Sequence, residues 1–171
     1  ELVTGFVNGQ QSPQQYSATL DGKQYAGFSL LTADDRSMVC ASNRDGAPTV
    51  IEPGVYGLSN AKLDTPWPKL LRCRDGLREL IDSDAVNPNA LLRLLADTRP
   101  APVKDLDDDL PFAMAQAISA PFIRTSDYGT RCTTVVLTDH DGYTQVIERR
   151  FDNAGNASGD EQFQFHPDRA P

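Results

Sequence analysis

The sequence has 171 residues, of which 39% are hydrophobic and 23% charged, a composition typical of a folded domain rather than a disordered chain. Its net charge of −8 disfavours nucleic acid and anionic membranes as partners, because both bind basic surfaces. No run reaches the ~20 apolar residues of a membrane span, so no transmembrane segment is expected. We therefore expect a single domain over residues 1–171.

After a short apolar opening, the first part of the chain predicts one helix and three strands. The helix begins at Ser12, which precedes a proline in the first turn, and runs to about Leu20. Apolar, β-branched and aromatic runs between turn residues predict the extended segments. These are strands at Tyr25–Ala33, Met38–Asn43 and Thr49–Glu52, followed by an extended stretch at Val55–Asn60.

The middle of the chain predicts three helices and one exposed loop. Asp64 or Thr65 is expected to cap the first helix, and Asn87 the second. The apolar face of the first helix contains Leu70, Cys73, Leu77, Leu80 and Ile81. A solvated acidic loop, without the glycine and glutamate of an EF-hand, precedes a short helix at Leu110–Ile118. The acidic residues of this loop are Asp105, Asp107, Asp108 and Asp109.

The last part of the chain has the clearest strand pattern. Thr133, Val135 and Leu137 alternate with Thr134, Val136 and Thr138, as expected of a strand. An Asp-Gly turn then leads into a return strand at Tyr143–Phe151. A loop at Asn153–Asp160 precedes a final strand at Glu161–His166. Because strands, helices and strands follow one another in blocks, the pattern predicts an α+β fold with an antiparallel sheet.

The three cysteines, Cys40, Cys73 and Cys132, lack the spacing of a disulfide framework or a zinc site. The chain contains only two histidines, and we expect no metal site. Unpaired cysteines suit a reducing compartment, so we expect a cytoplasmic location. Cys132, beside Arg131 on a strand, is expected to be buried in the packing. Cys73 lies on the apolar face of a predicted helix and Cys40 in a predicted strand.

Four segments, in this order, resemble the NRDE (transport-and-Golgi-organisation) family. The third, PGVYGLSNAKLDTPWPK, is the most specific of them. The segments are Glu1–Thr4 with Phe6, Tyr25–Leu31, Pro53–Lys69 and Tyr128–Arg131. On this basis the chain is identified as roughly the C-terminal two-thirds of an NRDE-family domain, beginning in mid-sequence.

The resemblance implies an α+β fold of the N-terminal-nucleophile-hydrolase type, an αββα sandwich with antiparallel sheets. Family members begin with Met-Cys and continue to an Asn-Arg-Asp-Glu motif, so the N-terminal part of that fold is expected to be missing from this chain. The missing segment of the same protein would then be a partner of this one. Asn43–Gly46 shares three letters with the motif, but we interpret it as a loop after a hairpin.

The resemblance implies two functions. The first is a carrier or trafficking role for a small hydrophobic ligand, either haem or a lipid. Haem would need an axial ligand, for which His140, His166 and Met38 are candidates. The alternative is a cysteine N-terminal-nucleophile amidase acting on a C–N amide bond, with its nucleophile in the missing segment. Whether the protein is an enzyme stays open at this point.

Five residues are the candidate site residues. Asn60 would donate a hydrogen bond to an oxyanion, although it could instead bond neighbouring backbone at a strand end. Arg131 would lower the pKa of a thiol or bind a substrate carboxylate, although an ion pair with an acidic residue is as good an explanation. Tyr56, Ser59 and Trp67 are expected to line a ligand pocket, although a tryptophan such as Trp67 is more often a core residue.

Overall fold

The computed structural model describes residues 1–107 and 109–166. The chain forms two compact units, the first from Glu1 to Thr65 and the second from Pro66 onward. Each unit combines helices with one three-stranded antiparallel sheet, which confirms the α+β class. The αββα sandwich and the single-domain boundary stay predictions. Within the described ranges, no helix has the length and hydropathy that a bilayer span requires.

The first unit pairs two short helices with its sheet. The elements are α1 (Leu2–Val7), α2 (Pro13–Thr19), β1 (Ser29–Ala33), β2 (Met38–Ser42) and β3 (Thr49–Ile51), with a 3-10 turn at Gly22–Gln24. The apolar opening is therefore a helix. Ser12 begins α2 as predicted, because its Oγ accepts a hydrogen bond from Gln15 N at 3.3 Å while Gln15 Oε1 accepts from Ser12 N.

The sheet order is β1-β2-β3, and the predicted hairpin is confirmed. Leu30 pairs with Ala41 and Thr32 with Val39, so these four buried side chains share the core face. The first strand begins at Ser29 rather than Tyr25, which corrects the prediction. The backbone carbonyls of Tyr25 and Ala26 accept hydrogen bonds from the side chain of Asn43, so they do not join a strand ladder.

The second unit contains three helices followed by a meander of three strands. The elements are α3 (Pro68–Asp82), α4 (Pro88–Leu95), α5 (Phe112–Ile118), β4 (Cys132–Thr138), β5 (Thr144–Phe151) and β6 (Ala157–Phe165), with a 3-10 turn at Val103–Asp105. Asn87 caps α4 as predicted, with its Oδ1 accepting from Ala90 N at 3.0 Å. The α3 and α4 helices meet at Gly76, where a Cβ would lie 2.5 Å from Leu94 Cδ1.

Several boundaries and exposures in this unit differ from the predictions. Trp67, not Asp64 or Thr65, precedes α3, because Pro68 occupies the first helical position and keeps the residue before it extended. Ile81 is 48% exposed, so the apolar face of α3 is not buried at its last turn. The acidic loop contains the 3-10 turn, and Asp108 lies outside the described residues.

The sheet of the second unit also corrects two predictions. The last strand begins at Ala157 rather than Glu161, because Gly155 closes the preceding turn with a φ of +75° and the chain pairs with β5 from Ala157. Cys132 is exposed, since it alternates with Thr133 and Val135 and these two face the core. Cys40 is buried and Cys73 half-buried, and all three thiols are free.

A charged cluster joins α3 to the segment after α4. Arg72 Nε lies 3.3 Å from Asp97 Oδ2, and Arg99 donates two hydrogen bonds to the same carboxylate at 2.9 and 2.8 Å. Arg72 also donates to the backbone carbonyls of Arg99 and Pro100. The hydrogen bonds from Arg99, together with the charge of Arg72, lower the pKa of Asp97 to about 2.

We predict that Asp97→Asn lowers the free energy of unfolding by about 1–2 kcal/mol at pH 7, the exposure of Arg99 reducing the effect. Since the folded pKa lies below the unfolded value, this stabilisation is complete above about pH 5 and is lost as the pH falls from about 4 to 2. Urea unfolding at pH 7 and pH 2.5 measures both ends of this range.

The matched control is Asp75→Asn, because Asp75 also pairs with arginines but its side chain is 59% exposed. We expect the control to change the free energy of unfolding by less than about 0.5 kcal/mol. An Asp97→Asn protein as stable as the wild type at pH 7 would contradict the proposed role of the cluster.

Candidate functional site

The predicted extended stretch at Val55–Asn60 runs into a loop that hydrogen bonds between Gly57 and Asp64 close. Gly57 N donates to Asp64 Oδ1 at 2.7 Å, and Asp64 N donates to Gly57 O at 2.8 Å. Asp64 has a φ of 56°, a left-handed conformation that aspartate tolerates better than most residues. These two hydrogen bonds close the loop, which we call the 57–64 loop.

The Asn43–Gly46 segment anchors this loop. It connects β2 to β3, which confirms its interpretation as a loop beside a hairpin. Lys62 Nζ in the 57–64 loop lies 2.5 Å from Asp45 Oδ1, and Arg44 Nη1 donates to the Asn60 carbonyl at 3.5 Å. The position of Asn60 therefore depends on side chains from the neighbouring connection.

Three of the predicted site residues lie on or beside this loop. Asn60 is exposed, and its side-chain amide makes no hydrogen bond to any residue in the described part of the chain. The alternative role for Asn60, a bond to neighbouring backbone, is therefore not observed there. Ser59 is half-buried, and Tyr56, 39% exposed, packs over Gly54, where a Cβ would lie 2.9 Å from its ring.

Trp67 lines an apolar cavity of about 270 Å³ in the second unit. Leu106, Ala115 and Ile118 supply apolar lining, while the charged lining residues are the cation Lys69 and the carboxylates Asp105 and Asp107. Lys69 Nζ donates to the Ile118 carbonyl at 3.0 Å and lies 5.3 Å from the centre of the Trp67 ring. Burial lowers the pKa of Lys69.

Arg131 lines a second, polar cavity of about 180 Å³ in the same unit, which we call the Arg131 cavity. Its Nη1 donates to Asn153 Oδ1 at 2.7 Å, so its partner is a neutral amide. The alternative role for Arg131, an ion pair, is not formed with any acidic residue in the ranges 1–107 and 109–166. Arg124 lines the same cavity.

The structure thus divides the five predicted site residues among three places. Tyr56, Ser59 and Asn60 follow one another in the first unit, whereas Trp67 and Arg131 line different cavities of the second. Sequence reasoning missed Asp64, Lys69 and Arg124. Only Asp64 had a local signal, since an aspartate ahead of Thr-Pro suits a turn as well as a helix cap.

The cysteines and the candidate haem ligands line neither of these two cavities. Burial raises the pKa of both Cys40 and Cys73, which disfavours the reactive thiolate. His140 is exposed in the turn between β4 and β5, and His166 is exposed beside the ring of Tyr143. Met38 is 42% exposed in the first unit.

Fold and cavities together define an α+β protein whose second unit has two small cavities, one apolar and one polar. The sequence profile of the family Transport and Golgi organisation 2 matches residues 1–153. The chain belongs to this family, as its resemblance to the NRDE proteins indicated.

Two mammalian relatives illustrate the match. The human Transport and Golgi organization protein 2 homolog is 32% identical over 166 residues, covering 87% of this chain and 60% of the relative. The mouse Transport and Golgi organization 2 homolog is 31% identical with the same coverage. The chain therefore spans about 60% of the length of these relatives.

We predict that Asp64→Ala destabilises the first unit by about 1–2 kcal/mol, because alanine loses the bond to Gly57 and is strained at positive φ. Asp64→Asn retains an acceptor oxygen and tolerates this conformation, so it should cost less than about 0.5 kcal/mol. Amide hydrogen exchange of Gly57 and urea unfolding measure the two effects. Equal protection of the Gly57 amide in both variants would show that another group holds the loop.

Proposed function

We propose that this protein binds and carries a small hydrophobic ligand, in keeping with the transport role for which its family is named. The supporting observation is the apolar cavity beside Trp67. The three cysteines are free, which suits a reducing compartment, and we propose the cytoplasm as the location.

The size and chemistry of the Trp67 cavity favour a lipid-like ligand. Its volume of about 270 Å³ is near the lower limit of small-molecule sites. Such a space takes an acyl chain segment or one ring system rather than a whole porphyrin. Lys69 supplies a cation for an acidic head group, and a carboxylate beside it would oppose the effect of burial on its pKa.

Haem is the less favoured ligand. None of the candidate axial ligands, His140, His166 and Met38, is among the residues that line the Trp67 cavity. Without an axial ligand, haem would be held by apolar contact alone. A fatty acid needs an apolar wall and one cation, and the Trp67 cavity has both. Asp105 and Asp107 also line it, so the carboxylate of the ligand would have to lie beside Lys69 and away from these two side chains.

The single tryptophan of the chain, Trp67, reports on this cavity directly. We expect decanoate to change the Trp67 fluorescence saturably, whereas hemin should produce no Soret shift typical of axial coordination. Ala115→Leu should weaken decanoate binding by about tenfold or more, because Ala115 is buried and lines the cavity.

Ala120→Leu is the matched control, since Ala120 is equally buried (3% exposed) but does not line the cavity. Both variants add the same side chain, so thermal unfolding checks that they are comparably stable. The proposal fails if decanoate does not affect Trp67, or if the two variants lose affinity equally. A Soret shift with equimolar hemin would instead favour the haem carrier.

A second candidate function, a cysteine amidase acting on a C–N amide, is favoured by one observation at Asn60. Its exposed side-chain amide is available to donate to an oxyanion. The nucleophile would have to come from a cysteine other than Cys40 or Cys73, because burial raises the pKa of both.

For this candidate we expect Asn60→Ala in the full-length protein to lower hydrolysis of an N-acyl p-nitroanilide about 10²-fold, without changing the thermal midpoint. Asn89→Ala, at an exposed asparagine of α4, is the control and should leave the rate unchanged. No hydrolysis by the wild-type protein would exclude this activity for the probe.

A further inference from the structure

The Arg131 cavity brings two arginines to one turn of the sheet. Arg131 Nη1 is bonded to Asn153, and Arg124 packs against Gly155, where a Cβ would lie 3.2 Å from Arg124 Cδ and Nε. Asn153 and Gly155 belong to the turn between β5 and β6. Both guanidinium groups are thus placed at one cavity of about 180 Å³.

Neither guanidinium is neutralised by direct pairing. In the ranges that the structure describes, no carboxylate lies within ion-pair distance of Arg124 or Arg131. Asp152 lines the cavity, but its carboxylate accepts hydrogen bonds from Ala154 N, Asn156 N and Asn156 Nδ2. The hydrogen bond from Asn156 N is the main cause of the lowered pKa of Asp152. The other two hydrogen bonds and the charge of Arg124 lower the pKa further.

The two arginines of this cavity favour an anion with several oxygens over a simple carboxylate. Asp127 and Asp152 offset the mutual repulsion of the two arginines when no ligand is bound. A carboxylate is satisfied by one bidentate arginine, whereas a phosphate offers three terminal oxygens and a charge of about −1.5 to −2. Two guanidinium groups therefore match a phosphate better than a carboxylate, and the small volume suits a head group.

We propose that the Arg131 cavity binds a phosphate group, held between Arg124 and Arg131. Asn153 positions the guanidinium group of Arg131, and Gly155 leaves room for the side chain of Arg124. This site is separate from the Trp67 cavity, so it does not depend on the proposed carrier function.

Isothermal titration calorimetry at low ionic strength, with inorganic phosphate, phenyl phosphate and acetate, tests the site. Both phosphates should bind more tightly than acetate, and tighter binding of phenyl phosphate than of inorganic phosphate would identify a phosphate monoester as the ligand class. Arg124→Gln and Arg131→Gln should each weaken phosphate binding by about tenfold or more. Arg36→Gln, at an arginine whose side chain is 87% exposed in the first unit, is the charge-matched control.

Two glycine variants test the geometry without removing charge. Gly155 and Gly142 both have positive φ, +75° and +85°, so alanine at either position has a similar backbone cost. Only Gly155→Ala crowds Arg124, since a Cβ at Gly142 meets nothing within 4 Å. We expect Gly155→Ala to weaken phosphate binding about threefold to tenfold and Gly142→Ala to leave it unchanged.

Three results would overturn the phosphate site: no phosphate binding by the wild-type protein, acetate binding as tight as phosphate, or an equal loss in Arg36→Gln. Thermal unfolding of each variant separates loss of the site from loss of the fold. Decanoate binding followed by Trp67 fluorescence in the same variants keeps the two proposals apart, because it should survive Arg124→Gln.

Discussion

The second unit depends on the contact between Arg72 and Asp97. Both side chains are largely buried, at 28% and 13% exposure, so each needs its charge and its hydrogen bonds satisfied by the other or by backbone. Arg72 also donates to the carbonyls of Arg99 and Pro100, which fixes the chain after α4. Its buried Nε contacts Asp97 as an ion pair and makes no hydrogen bond within the described residues. The backbone carbonyl of Asp97 accepts a hydrogen bond from Phe122 N at 2.9 Å, which ties the segment around Phe122 to this ion pair. Phe122 is buried and packs edge-on against Phe151 of β5, with ring centres 4.7 Å apart. The hairpin that follows Phe122 contains Arg124 and leads to Arg131, so the Arg131 cavity is built on this chain of contacts.

In the first unit, a neutral side chain forms the hydrogen bonds that hold an irregular segment of backbone in place. Asn43 accepts from Phe28 N at 3.0 Å, and the two hydrogens of its Nδ2 are shared among the carbonyls of Gly22, Tyr25 and Ala26. One side chain thus contacts four backbone groups of an irregular segment. In the 57–64 loop, the side chain of Asp64 accepts a hydrogen bond from the backbone of Gly57. Side chains that bond to backbone in this way replace the missing ladder, and they hold loops in fixed shapes where a strand would otherwise be expected.

These long-range bonds explain which predictions from sequence succeeded. Features with local causes were predictable: the caps at Ser12 and Asn87 depend on residues three positions away, and the β1–β2 hairpin on alternation around a turn. The early start predicted for β1 was wrong because Tyr25 is bonded to a residue 18 positions later. The buried position predicted for Cys132 was wrong because it depends on which face of β4 meets the core.

Trp67 and Arg131 could be singled out by residue type. Their companions Lys69 and Arg124 could not, since a lysine or arginine becomes a site residue only when the fold sets it beside a cavity.

The charge of the protein limits how it can bind an anion. At a net charge of −8 the long-range field repels anions, so attraction from a distance does not help them to bind. Affinity must then come from short-range hydrogen bonds, and these are strongest when the cation is fixed beforehand, because a mobile lysine or arginine loses rotamer entropy on binding. One cation at each cavity meets this condition, Lys69 through the Ile118 carbonyl and Arg131 through Asn153. The neutral partners matter here, since a carboxylate in place of Asn153 would cancel the charge that the ligand needs. An uncharged anchor holds the arginine in place and leaves its charge for the ligand.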